Sequence, residues 1–225
     1  MHFNIIDLGC IDYAKCLEYQ RELVKKRRRG DAPDTLIFAV HPPVITIGRR
    51  GTRENVLASS QELECEQIAV YRVDRGGDVT YHGQGQLVIY PIIDLRGFKK
   101  DLHWYLRSLE QVVINLLERY NIFARRKPGF TGVWIEDKKI AFIGIAAVEW
   151  ITYHGLSINV SVNLKHFANI RPCGIMDCEV TNLSDLVSRE INIDEIKINF
   201  YNSFFQIFEK IASEFSTVIC HGIMT

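Results

Sequence analysis

Apolar residues recur every three or four positions in three stretches of the 225-residue chain, which is the spacing of an amphipathic helix. The first stretch covers residues 13–29 and stops at Gly30, a residue type that commonly terminates helices. The second covers residues 102–117, and the third covers residues 196–215, where aromatic side chains cluster. The pattern therefore predicts three long helices whose apolar faces pack on a core.

Runs rich in β-branched and aromatic residues predict seven strands. Pro42 and Pro43 separate the first two runs, because proline cannot continue a strand ladder, and the link Glu136-Asp137-Lys138 is short enough for a hairpin. Clustered strands with short links favour a mixed or antiparallel sheet over a parallel one. We predict an α+β fold in which helices flank this sheet. The runs cover residues 35–40, 44–47, 67–73, 87–93, 129–135, 139–148 and 156–162.

Length and composition indicate one globular domain over residues 1–225, because no repeat, low-complexity linker or shift in composition marks a boundary. Twenty-seven basic residues balance twenty-seven acidic ones, which argues against a nucleic-acid binder.

The longest apolar run, residues 140–148, is far shorter than the ~20 residues of a membrane-spanning helix. The first residues lack the basic segment of a secretory signal, and the six cysteines form no CxxC pair. We expect a cytoplasmic protein with free thiols and no membrane association.

Four glycines lie within the twelve residues 75–86, RGGDVTYHGQGQ. This segment matches neither GxGxxG nor the phosphate loop GxxxxGK[ST], so it gives little support to nucleotide binding. Glycines also let the backbone approach an acyl chain or a carrier arm closely, with Arg75 and His82 as polar side chains. The alternative is a plain glycine-rich hairpin loop.

Cys173 lies between Pro172 and Gly174, outside any apolar periodic segment. Such a context suits a nucleophilic thiol, although a structural cysteine in a turn is equally compatible with it. A thiol is mostly protonated at neutral pH and needs a base or a neighbouring cation. The candidates are His82, His154, Lys138 and Lys139. Because strand side chains alternate between faces, only one of the two adjacent lysines can point inwards. No HxH or HExxH spacing occurs, so we predict no metal site.

Several segments together resemble the lipoyl(octanoyl) transferase family of lipoate biosynthesis. They keep the order of that family over most of the chain, and the RGGxxTxHGxGQ block with the Lys-Ile-Ala and Pro-Cys-Gly segments is a specific combination. The matching segments are HPPVITIG at 41–48, RGGDVTYHGQGQLVIYPIIDL at 75–95, GVWIEDKKIAFIGI at 132–145, HGLSINV at 154–160 and RPCG at 171–174.

The resemblance implies roles for particular residues. Cys173 would form an acyl-thioester intermediate, and Lys139, which directly precedes Ile-Ala, would activate its thiol in place of Lys138. The implied fold is that of the catalytic domain of biotin and lipoate protein ligases. Segments that match the acyl-binding segments of the family contain Arg75, Gly76, Gly77, Asp78, Val79, Thr80, Tyr81, His82, Phe142, Ile143, Gly144, Gly155, Leu156 and Ser157.

The same resemblance implies the substrates. The donor would be octanoyl-acyl carrier protein, and the acceptors would be lysines of lipoyl-domain proteins, namely E2 subunits of 2-oxoacid dehydrogenases and the H protein of glycine cleavage. We expect no cofactor, and an oxyanion held by the N–H groups of Gly77 and Gly174. The chain departs from the family at Phe142, where a small residue is usual, and at Ala146-Ala147, where an arginine or other polar group is common. A bulky Phe142 would reshape the acyl slot.

Two alternatives stay open at this point. An ATP-dependent lipoate or biotin protein ligase would have the same fold, with a glycine-rich loop that holds an acyl-adenylate, but it would not need Cys173. A catalytically inactive module that binds acyl carrier protein would keep the loops without the reaction. Transfer in the absence of ATP and an acyl adduct on Cys173 distinguish the three functions.

Overall fold

The computed structural model describes residues 3–176 and 178–222, with side chains through residue 211. Four helices lie in this part of the chain: α1 (Tyr13–Arg29), α2 (Ser60–Cys65), α3 (Leu102–Glu118) and α4 (Ile193–Gly222). The side chain of Asp12 caps the start of α1, and Gly30 ends it in the left-handed conformation with φ 84°. Within the described residues, no helix combines the length and the apolar character that crossing a membrane requires.

Ten strands form two sheets in the described residues. The larger sheet has the order β1-β2-β6-β10-β9-β8-β7, and all its neighbours are antiparallel except β1 and β2. The smaller sheet has the order β4-β3-β5, with β3 and β4 parallel. The strands are β1 (Asn4–Cys10), β2 (Thr35–Val40), β3 (Val44–Ile47), β4 (Ala69–Arg72), β5 (Val79–His82), β6 (Gln86–Ile92), β7 (Arg125–Lys127), β8 (Phe130–Ile135), β9 (Lys138–Val148) and β10 (Ile151–Asn159).

Both faces of the larger sheet are buried, because successive side chains of its central strands enter different clusters. Leu36 and Phe38 of β2 pack with α3 and α4, whereas Ile37 and Ala39 pack with α1. A third cluster lies under the smaller sheet and reaches the larger one through Phe142 of β9. The two sheets therefore meet at the start of β9, and this junction positions the site described below.

The predicted α+β fold, the three long helices and the hairpin between β8 and β9 are confirmed. Five features differ from the prediction. Strands β1 and β7 and the short helix α2 were not predicted, β10 begins at Ile151 in place of residue 156, and residues 79–82 of the glycine-rich segment form strand β5. β5 is short, and its partner β3 lies more than thirty residues earlier, so no local pattern indicates the pairing.

Candidate active site

The structure brings the side chains of Lys139 and Cys173 into contact. Lys139 Nζ lies 3.0 Å from Cys173 Sγ, although thirty-four positions separate the two residues. Lys139 has 0% of its surface exposed, whereas the side chain of the adjacent Lys138 is 54% exposed and its Nζ lies 3.8 Å from Glu179. In the described part of the chain, Lys139 is the one side chain that hydrogen-bonds Cys173.

The backbone around Lys139 explains why the cysteine loop lies beside it. The N–H of Lys139 donates to the carbonyl oxygen of Glu179 (2.9 Å), and the N–H of Thr181 donates to the carbonyl oxygen of Lys139 (3.1 Å). The chain that follows the cysteine loop thus pairs with the first residues of β9. This pairing closes the sequence gap between the two residues of the dyad.

Cys173 occupies a strained turn. It lies in a short 3₁₀ helix, Pro172–Gly174, with φ 59° and ψ 17°, a left-handed conformation that a residue with a Cβ adopts rarely. The N–H of Gly174 donates to the carbonyl oxygen of Arg171 at 2.9 Å. The expectation that Gly174 supplies an oxyanion donor is therefore wrong, because its N–H is used to close this turn.

Aromatic rings surround the ammonium group of Lys139. Nζ lies 5.2 Å from the ring centroid of Trp134 and 4.9 Å from that of Phe142. A buried charge without compensation is costly, and the negative faces of aromatic rings offset part of that cost. The two rings therefore offset part of the cost of burying the amine of Lys139 beside the thiol.

The glycine-rich segment is held by Arg75. Its buried guanidinium donates to the carbonyl oxygen of Thr46 (2.7 Å) and to the hydroxyl of the same residue (2.9 Å). Burial lowers the pKa of Arg75 from its usual value. Gly77, two residues after Arg75, has φ 86°. Its N–H donates to no acceptor within the described residues. A backbone donor is thus left free on a residue that lines the same cavity and groove as Cys173.

A narrow cavity of about 40 Å³, the inner cavity, extends from Cys173 into the protein. Twelve of the fourteen residues that match the acyl-binding segments line it. Gly76 lies instead in the outer groove, and Tyr81 is directed away from the cavity, where its hydroxyl contacts His166 and its ring packs on Phe167. Four further residues besides Cys173 line the inner cavity. Sequence reasoning assigned no cavity role to Tyr13, Val88 and Tyr90, and it considered His154 only as a base for the thiol.

Cys173 also lines a wider groove of about 880 Å³, the outer groove. Lys139 and Gly77 lie in its wall, and Arg49 and Arg50 lie on its exposed rim. Cys173 and Gly77 are common to both spaces. The thiol therefore stands at the point where the inner cavity meets the outer groove.

The two histidines considered as bases are engaged elsewhere. Nδ1 of His82 lies 2.7 Å from Gln86 Oε1, and Nε2 of His154 lies 2.8 Å from Asp74 Oδ1. Burial, with the nearby His41, lowers the pKa of His82 to about 3. Burial also lowers the pKa of His154, against the opposing effect of Asp74. Both rings are therefore neutral at pH 7, and Lys139 is the basic group at the thiol.

Residues 12–205 match the family described as the lipoyl protein ligase A/B catalytic domain. The chain belongs to this family. It is 48% identical over 202 residues to an octanoyltransferase of Solibacter usitatus, covering 90% of this chain and 91% of that protein. It is 44% identical over 193 residues to an octanoyltransferase of Alkaliphilus metalliredigens, covering 85% and 88%. These relatives confirm the predicted family and the predicted enzyme class, an acyltransferase of protein lipoylation.

Solved structures of lipoate and biotin protein ligases confirm the predicted fold. A lipoate-protein ligase A bound with ATP superimposes with a TM-score of 0.79 at 18% identity, covering 95% of this chain and 94% of that one. A putative lipoate protein ligase from T. acidophilum with bound lipoic acid gives a TM-score of 0.75 at 20% identity, with coverage of 95% and 94%. The biotin protein ligase of Aquifex aeolicus gives 0.58 at 16% identity, covering 93% of this chain and 72% of that one.

Proposed function

We propose that this protein transfers an octanoyl group from octanoyl-acyl carrier protein to a lysine of a lipoyl domain, through an acyl-thioester on Cys173. The 3.0 Å contact between Lys139 Nζ and Cys173 Sγ carries the proposal, since a buried amine beside a thiol favours the nucleophilic thiolate. The octanoyltransferase relatives support the choice of acyl group.

In the first step, the Cys173 proton moves to Lys139, and the thiolate attacks the carbonyl carbon of the donor thioester. The free N–H of Gly77 stabilises the oxyanion of the tetrahedral intermediate. The carbon–sulfur bond to the carrier then breaks, and the leaving thiolate takes the proton back from Lys139. The acyl chain is directed into the inner cavity, whose lining is largely apolar. At about 40 Å³ the cavity holds the first carbons of the chain, and its walls must move apart to admit the rest.

In the second step, the ε-amine of the acceptor lysine attacks the acyl-enzyme carbonyl. Lys139 accepts the amine proton while the amide forms, and the Cys173 thiolate leaves. Amide formation from a thioester is downhill, so the reaction needs no ATP. Donor arm and acceptor lysine both reach Sγ through the outer groove, so they bind in turn and the kinetics are of the ping-pong type.

One of the structural neighbours was solved with its E2 lipoyl domain, as a bipartite lipoate protein ligase of Thermoplasma acidophilum. We extend this acceptor class to the present protein. E2 subunits of 2-oxoacid dehydrogenases and the glycine cleavage H protein present a lysine on such a domain.

Mass spectrometry of the protein after exposure to octanoyl-carrier protein in ATP-free buffer tests the proposal. We expect an octanoyl adduct that maps to Cys173, is absent in Cys173→Ser, and disappears when a lipoyl domain is added. Cys178→Ser is the matched control and should keep the adduct. A strict need for ATP would contradict the proposal in favour of a ligase, and a folded protein that forms no adduct would identify a binding module.

A further inference from the structure

A second groove, of about 330 Å³, lies between α1 and β4 on the far side of the inner cavity. We call it the α1–β4 groove. Tyr13 lines both spaces, and no other residue does so among those that line the two. The ring of Tyr13, only 3% exposed, thus stands as a partition between them.

Neighbouring rings hold this partition in place. The ring of Tyr13 stacks on His82, which lines the inner cavity, with centroids 6.0 Å apart and an interplanar angle of 10°. It also stacks on Tyr71, which lines the α1–β4 groove, at 5.8 Å and 26°. His41 meets its edge at 5.3 Å. Because several rings contact it, Tyr13 cannot swing aside without breaking this stack.

The space behind the partition is suited to an alkyl chain. Ala14, Leu17, Tyr71 and Val73 supply apolar surface to the α1–β4 groove, and its charged residues are Glu18, Arg21 and Arg72. A chain that passed the position of Tyr13 would bury each added methylene against this surface. Such burial favours binding by about fourfold per methylene.

We infer that Tyr13 sets the upper limit of acyl-chain length, and that the α1–β4 groove would hold the distal methylenes of longer chains once its ring is removed. The inference rests on the proposed function, which assigns the acyl chain to the inner cavity. Phe142 acts at a different place, since it contacts Lys139 near the thiol and stacks on Phe167 at 5.3 Å. Tyr13 therefore limits length, while Phe142 shapes the entrance.

The test compares initial rates of Cys173 acylation by carrier protein loaded with C8, C10, C12 or C14 chains, measured by mass spectrometry. In Tyr13→Ala we expect the C12-to-C8 rate ratio to rise at least about tenfold above wild type, which two additional buried methylenes would supply. Tyr13→Phe should keep the wild-type ratio, because the ring forms the partition. Arg72→Ala, on the groove alone, should also keep it.

A folded Tyr13→Ala that accepts C8 with an unchanged chain-length profile would overturn the inference. If Tyr13→Ala does not fold, Tyr13→Leu is the deciding variant. We expect it to raise the ratio of the C10 to the C8 acylation rate, and an unchanged ratio would contradict the inference. Wild type that forms no C8 adduct on Cys173 would instead contradict the proposed function. The two failures are therefore separable.

Discussion

The contact between Lys139 and Cys173 predicts how each of two neighbouring lysines affects the thiol. Lys139→Ala removes the ammonium 3.0 Å from Sγ, so alkylation of Cys173 by iodoacetamide at pH 7 should slow by about tenfold or more. The rate should recover at higher pH, where hydroxide deprotonates the thiol directly. Lys138→Ala, which removes an exposed side chain, is the matched control and should react like wild type. Equal slowing in both variants would contradict the assignment.

Single residues differ in how far their position could be predicted. The choice between Lys138 and Lys139 follows from the alternation of strand faces together with the family motif, and both are local in sequence. The partition formed by Tyr13 depends on how α1 packs against β4 and β5, so no spacing along the chain reveals it. For Gly174 the motif predicts an oxyanion donor, but it does not show that the N–H of Gly174 already donates within the turn.

The hairpin of β8 and β9 is the element that aims Lys139. Gly132 of β8 has φ 121°, and a Cβ on it would lie 2.6 Å from Lys139 Cε. Its N–H donates to Oε1 of Glu110 on α3 at 2.9 Å. Glu110 is fully buried and pairs with Arg107 (2.7 Å) and Arg126 (3.0 Å). Helix α3 thus fixes the strand that packs against the base.

This contact predicts different effects for two substitutions of Glu110. Glu110→Leu leaves the Gly132 N–H and Arg107 without a side-chain acceptor and removes one of the three acceptors of Arg126, so the free energy of unfolding should fall by about 1–3 kcal/mol, and Cys173 alkylation should slow. Glu110→Gln keeps an oxygen for Gly132 and should retain the alkylation rate, while stability falls less. Urea titration and alkylation at pH 7 measure both. A folded Glu110→Leu variant that reacts at the wild-type rate would refute the positional role.

Elements were predictable where one amphipathic face spans many residues, as in α1 and α3. Strand β5 and strand β1 were not, because their stability comes from partners distant in sequence and their own patterns are short or interrupted by glycine. The consequence for the site is specific. The sequence places residues 79–82 in a loop over the acyl chain, whereas they form a strand in which Val79, Thr80 and His82 line the inner cavity and Tyr81 is directed away from it.

For the molecule as a whole, the site lies where the two sheets meet, and three buried histidines lie around it: His41, His82 and His154. Burial lowers the pKa of each. As the pH falls, the three imidazoles therefore become protonated in the unfolded chain before they do so in the folded protein. Stability and the integrity of the inner cavity are thus linked to pH through the same side chains.

His82 gives the sharpest form of this linkage. Its pKa is about 3 in the folded protein and about 6.5 in an unfolded chain, so the unfolded state gains a proton first as pH falls. Stability is lost as pH falls below about 6.5 and the loss ends near 3. At pH 5.5 the loss from this one residue is about 1.4 kcal/mol relative to pH 7.5 or above. Urea titrations at pH 7.5 and 5.5 measure it, in a window where few carboxylates titrate.

In His82→Gln the decrease in unfolding free energy between pH 7.5 and 5.5 should be smaller than in wild type by about 1.4 kcal/mol. His103→Gln, an exposed histidine on α3, is the matched control and should show the wild-type decrease. The comparison uses the change in unfolding free energy between the two pH values within each variant, so a loss of stability in His82→Gln that is equal at both pH values does not affect it. An equal decrease in unfolding free energy in His82→Gln and wild type would mean that His82 carries a proton in the folded protein at pH 5.5. The cavity wall beside Tyr13 would then be charged at that pH.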